Sequence, residues 1–123
     1  MNIRDLIEKI EPQEIRPENG AVLIYVGVVK GVKDSKKIEK IEVVHDNDKI
    51  MEEINKKFKN EIEKGLIKIK LIDGTLTPGE PITIVQIQDE DRYSAVMKLL
   101  KIIDIIKKNS MIREYYVDEK VNS

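Results

Sequence analysis

Apolar positions recur along this chain at two spacings, and the switches between them mark out its elements. Ile3, Leu6, Ile7 and Ile10 fall at helical spacing, which predicts a short amphipathic helix at the start. Pro12, Pro17 and the Glu18-Asn19-Gly20 stretch then break it. Residues 21–30 (AVLIYVGVVK) form an apolar, β-branched run and predict a buried central strand. Residues 31–37 (GVKDSKK) are polar and predict an exposed, flexible loop, after which residues 38–45 alternate in part and read as a second strand.

Asn47 or Asp48 is placed to cap the next helix, whose inner face is Ile50, Met51, Ile54, Phe58 and Ile62. Residues 66–72 (LIKIKLI) alternate cleanly, as a half-exposed strand does. Thr77-Pro78-Gly79-Glu80 reads as a turn and residues 82–87 (ITIVQI) as a further strand. A second long helix is predicted from about Arg92 to Lys108, with Val96, Leu99, Leu100, Ile103 and Ile106 as its apolar positions; residues 111–117 read as a last short strand. Strands and helices mix without strict alternation, which predicts an α+β fold with a mixed or antiparallel sheet packed with helices. No repeat or compositional break divides the chain, so residues 1–123 are expected to form a single domain.

Charge narrows the function. Lys+Arg number 22 against 23 Asp+Glu, so the chain lacks the electrostatic footprint of a nucleic-acid binder and any basic site must be local. Cysteine is absent, which excludes disulfides, thiolate metal sites and a catalytic thiol. If sulfur is handled here, it arrives on a partner or a substrate. The single histidine, His45, cannot by itself build a zinc site, so no metal is expected. No apolar run reaches the ~18 residues of a membrane span and no signal-peptide pattern opens the chain, so the expectation is a cytoplasmic protein with no membrane partner. Gly27, Gly31, Gly74 and Gly79 suit turns and close approaches, and no phosphate-loop motif is present.

The ordered segments go further than periodicity. Gly20-Ala21-Val22 leads into a strand ending at Gly27-Val28-Val29-Lys30, a basic loop follows, and Val43-Val44-His45 precedes a long helix. Leu71-Ile72-Asp73-Gly74-Thr75-Leu76-Thr77-Pro78-Gly79-Glu80 joins two strands, Glu90-Asp91-Arg92 opens the last helix, and Asp104-Ile105-Ile106-Lys107 lies near its end. In order and spacing, over about a hundred residues, this set resembles the large, catalytic subunit of molybdopterin synthase. The resemblance implies an α/β-hammerhead fold and a homodimer within a heterotetramer. It implies a small ubiquitin-like sulfur-carrier partner whose C-terminal Gly-Gly bears a thiocarboxylate. The implied reaction places two sulfurs on cyclic pyranopterin monophosphate to form the molybdopterin dithiolene, with no cofactor of the subunit's own.

Candidate site residues follow from both readings. On residue chemistry alone, Lys107 is a lysine near a helix C-terminus that complements the dipole and snorkels to water. The resemblance makes it catalytic, as an anion-binding ammonium or, once desolvated, a base or nucleophile. Arg92 reads either as a surface arginine pairing with Asp89 or Asp91 or, by the resemblance, as a clamp on the substrate phosphate or pterin. The family histidine just before it is Asp91 here. Lys30 stands where the family commonly has an arginine, keeping the charge without the planar fork, and equally reads as one more loop lysine. His45 reads as a substrate contact or as a structural residue at a strand end.

The family's Pro-hydrophobic-Trp-Lys segment is replaced by Ser110-Met111-Ile112-Arg113-Glu114-Tyr115. Without a gap Glu114 falls at the second functional lysine; with one residue deleted Arg113 does, and it is the second catalytic candidate, with Lys120 a further substitute. Arg113 supplies charge but cannot serve readily as a base. Three functions stay open: an active sulfurtransferase, a catalytically altered relative that binds a pterin or the carrier, and a plain dimeric scaffold.

Overall fold

Ten elements follow one another along residues 1–117, the part of the chain that the computed structural model describes. They are α1 (Ile3–Ile7), β1 (Ala21–Val28), β2 (Val32–Lys33), β3 (Lys36–His45), α2 (Asn47–Glu63), β4 (Ile67–Leu71), β5 (Gly74–Leu76), β6 (Pro81–Asp89), α3 (Arg92–Lys108) and β7 (Ser110–Tyr116). The α+β class and the predicted order hold, with β2 and β5 added as short strands. Helix α1 is shorter than its apolar spacing predicts. It starts in a capping box between Asn2 and Asp5 and buries none of its residues, so nothing holds a second turn.

The first sheet has the antiparallel order β1-β6-β4. The central strand is therefore β6, and the apolar run of β1 forms an edge. Sequence pattern misplaces the two because β6 carries Gln86 and Gln88, which read as solvent-facing, whereas both are buried. The segment after α1 lies across them. Gln86 accepts from the Glu11 backbone N–H (2.8 Å) and donates to its carbonyl (2.9 Å). Gln88 accepts from the Arg16 N–H and donates to the Glu14 carbonyl. Two amides thus satisfy the main chain of an irregular segment that has no ladder of its own.

The opposite face of this sheet carries the larger core. Ile50, Ile54 and Phe58 of α2 and Ala95, Ile102, Ile105 and Ile106 of α3 close on Ile67, Val85 and Ile87. Asp46 caps α2 and Asp91 caps α3, each accepting from a backbone N–H three residues on. Helix α3 is apolar on more than one side, so spacing alone does not choose its inner stripe. Val96 and Leu100 remain 41% and 53% exposed, while small Ala95 faces inward, where the helix meets β1 and β6. No described helix is long and apolar enough to cross a membrane.

In the second sheet β3 is central, with β7 along one edge from His45↔Ser110 to Ile38↔Tyr116 and β5 along the other. Val29, Ile38, Ile41, Val43 and Leu76 form a smaller core beneath it, with Ile72 and Ile82. The expected flexible loop is instead a hairpin: β2 turns into β3 through Asp34 and Ser35 alone, at φ 51° and 65°. Two positive φ values in a two-residue connection define a type I′ turn, normally signalled by Asn-Gly. Asp-Ser hides that signal. Ser35→Gly removes a side chain from the left-handed region and is expected to raise unfolding stability by about 0.5–1 kcal/mol; a denaturant midpoint that falls contradicts the turn assignment.

Candidate functional site

A cavity of about 680 Å³ opens where the two sheets meet, within the range of roughly 300–1,000 Å³ typical of small-ligand sites. The end of β1 and the turn after it contribute Tyr25 to Lys30, and the start of β6 contributes Ile82 and Thr83. The hairpin adds Lys33, β3 adds Ile38, Ile41 and His45, and the last turn of α3 adds Ile106 and Lys107. From β7 come Ser110, Ile112 and Glu114. Apolar side chains supply much of the wall, and the lysines, His45, Thr83, Ser110 and Glu114 add polar groups able to orient a bound molecule.

The fold brings Lys30, His45 and Lys107 to this one cavity. Ile106, next to Lys107, is buried, so the helix sets the lysine at the edge of the core with its ammonium free to reach the cavity. Neighbouring Lys108 pairs with Glu53 at 3.4 Å, whereas Lys107 and Lys30 make no ion pair among the described residues. Arg92 begins α3, about 22 Å along the helix axis from Lys107. Its guanidinium stacks 4.7 Å from the Tyr93 ring and donates to the Tyr93 hydroxyl, and it does not line the cavity. Strand alternation turns Arg113 away from Ile112 and Glu114. It lies opposite Glu42, 5.3 Å from the Tyr115 ring, also outside the cavity. Lys120 lies outside the described residues.

His45 is held from behind. Asp73 accepts both its backbone N–H (3.0 Å) and its ring Nδ1 (2.6 Å), and the imidazole is buried to 1% exposure. A carboxylate only accepts, so Nδ1 carries a proton and Nε2 is left as the ring nitrogen available to the cavity. The hydrogen bond from His45 holds the Asp73 carboxyl below its ordinary range. A lowered folded pKa contributes stability that is present above the unfolded value of about 3.9 and is lost as pH falls through the folded value. Asp73→Asn is therefore expected to lower stability at neutral pH and to flatten its loss below about pH 4. Unchanged acid unfolding in the variant refutes this coupling.

Lys33 and Glu114 meet across the cavity wall, Nζ to Oε1 at 2.8 Å. The Glu114 hydrogen bond raises the Lys33 pKa above its ordinary value, so this ammonium stays charged. Sequence reasoning passed over both Lys33 and Asp73. Lys33 is one of four lysines between residues 30 and 37, and Asp73 meets His45 across 28 residues of chain, which no local spacing announces.

The family model for MoaE protein matches residues 2–109. The chain belongs to the MoaE family. That is the family of the large, catalytic subunit of molybdopterin synthase, and it places this protein among the enzymes of molybdopterin biosynthesis. The fold agrees with solved structures. Molybdopterin synthase from Staphylococcus aureus superposes with a TM-score of 0.69 at 18% identity, covering 96% of this chain and 87% of that one. The molybdopterin biosynthesis MoaE protein from Burkholderia ambifaria MC40-6 gives 0.58 at 19% identity, over 87% and 77% of the two chains. Molybdopterin cofactor biosynthesis protein E from Burkholderia multivorans ATCC 17616 gives 0.57 at 18%, over 85% and 78%. No curated protein matches the sequence. The family match ends at Asn109, one residue before β7, so Arg113 and Glu114 lie beyond it. Asp91 serves as the cap of α3.

Proposed function

We propose that this member of the MoaE family is the sulfur-transferring subunit of a molybdopterin synthase. It receives sulfur from the thiocarboxylated Gly-Gly terminus of a small ubiquitin-like carrier and places it on cyclic pyranopterin monophosphate. The convergence of Lys30, His45 and Lys107 on one cavity in a cysteine-free chain of this family carries the reading. Lysine ammonium groups suit a phosphate-bearing substrate and a developing negative charge, and the aliphatic wall limits competing water. Lys107 is the principal catalytic group. Lys30 binds the anionic substrate, and His45, fixed by Asp73, offers Nε2 for a hydrogen bond or a proton. Arg92 and Arg113 stand outside the cavity of one chain and would touch the ligand only across a second surface. The assembly implied is a homodimer bearing two carriers, in the cytoplasm.

One observation favours a second reading, in which the protein binds pterin or carrier without turnover: Glu114 puts a carboxylate in the cavity where the family resemblance, aligned without a gap, expects a lysine. Mixing purified protein, thiocarboxylated carrier and precursor decides between them by mass spectrometry of the pterin. Dithiolene product supports the transferase. Tight carrier binding without product supports the binding module instead.

A further inference from the structure

Three lysines line the cavity, Lys30, Lys33 and Lys107, against one carboxylate, that of Glu114. That carboxylate is committed to Lys33 alone among the three, across 81 residues of chain. A solvent-exposed ion pair of this kind adds little to folding, so stability gives little reason for it. Its placement is more informative. Both partners face the ligand space, the lysine 48% exposed and the glutamate 24%, and the lysine sits on a hairpin fixed by a two-residue turn. An ammonium has three donor hydrogens, and the Glu114 bond uses one.

We infer that Lys33 is a ligand-binding residue of this cavity and that Glu114 is its resting counter-anion, displaced from it when a phosphate-bearing ligand enters. The inference rests on the function proposed above, since it concerns the same site. In the empty site Glu114 neutralises Lys33 and keeps the side chain turned to the cavity wall. An entering phosphate dianion or cyclic phosphate monoanion offers a competing acceptor, supported by Lys30 and Lys107 on the other walls. The pair then acts as a filter: a neutral pterin cannot displace the carboxylate, whereas a phosphorylated one can. Lys33 faces an anion in both states, Glu114 in the empty site and the phosphate after entry, so it stays charged. Its part is binding and orientation, and proton abstraction is left to other groups.

The two partners make opposite predictions, which a structural strut would not. Calorimetric titration of cyclic pyranopterin monophosphate into the wild-type protein, Lys33→Ala, Glu114→Gln and Lys107→Ala at low ionic strength separates the cases. Lys33→Ala is expected to weaken binding roughly three- to tenfold, and Glu114→Gln to tighten it by a similar factor, the modest size reflecting solvent screening. Thermal melts check that each variant is folded. Weakening by Glu114→Gln, or no change in either variant, overturns the inference. If Lys107→Ala alone lowers affinity, the proposed site stands and the role of the Lys33–Glu114 pair falls. If the folded wild-type protein binds no precursor, both fall together.

Discussion

Lys107→Ala is expected to lower dithiolene formation by roughly 10²-fold or more, with unfolding stability kept within about 0.5 kcal/mol. The size follows from position. Lys107 is the cavity's lysine on the last turn of a helix whose preceding residue is buried in the main core, so its backbone is set by packing. The stability forecast follows from its exposure and from the absence of an ion partner among the described residues. Lys107→Arg divides the possible roles. Arginine keeps the charge but does not give up a proton, so rescue indicates electrostatic stabilisation, and failure to rescue indicates an amine acting as base or nucleophile. Single-turnover kinetics with saturating carrier reads the chemical step. Undiminished turnover in Lys107→Ala would remove the residue from the mechanism.

Ile102→Ala carries the largest expected loss of stability, about 3 kcal/mol. Ile102 is fully buried between α3 and the sheet, within the cluster that includes Ile54, Val85 and Ile87. Removing three carbons there loses burial and leaves a cavity that the helix can only partly close. Urea unfolding followed by a spectroscopic probe measures the change. Since Ile102 lies in the core behind the site, turnover well below the lowered melting temperature should remain close to that of the wild type. A loss under 1 kcal/mol would show that α3 is not held by this contact.

The inner stripe of α2 and the ends of α3 were legible in the sequence because helical spacing is a local signal. The cap of α2, by contrast, is Asp46 and not Asn47 or Asp48, since several cap-forming residues stand side by side there. Strand positions were read well, but not their rank within the sheet. β1 looks central because it is continuously apolar, yet β6 takes that place once a main-chain segment from the N-terminal region covers Gln86 and Gln88. No pattern within β6 foretells a partner more than seventy residues away. The same holds for the cavity. Motif order singles out Lys30, His45 and Lys107, which line it, along with Arg92 and Arg113, which do not, whereas Asp73 and Lys33 enter only through contacts made across the fold. β7 was the exception that the sequence did allow. Alternation puts Glu114 on the face of Ile112 and Arg113 on the other, once the strand's inner face is known.

The most direct test of the central claim follows the sulfur itself. Carrier bearing a heavy-isotope thiocarboxylate is mixed with this protein and cyclic pyranopterin monophosphate, and the pterin is analysed by mass spectrometry. The proposed function predicts a product holding two heavy sulfurs, formed only when carrier and protein are both present. A folded protein that binds the labelled carrier and leaves the pterin without heavy sulfur would contradict it.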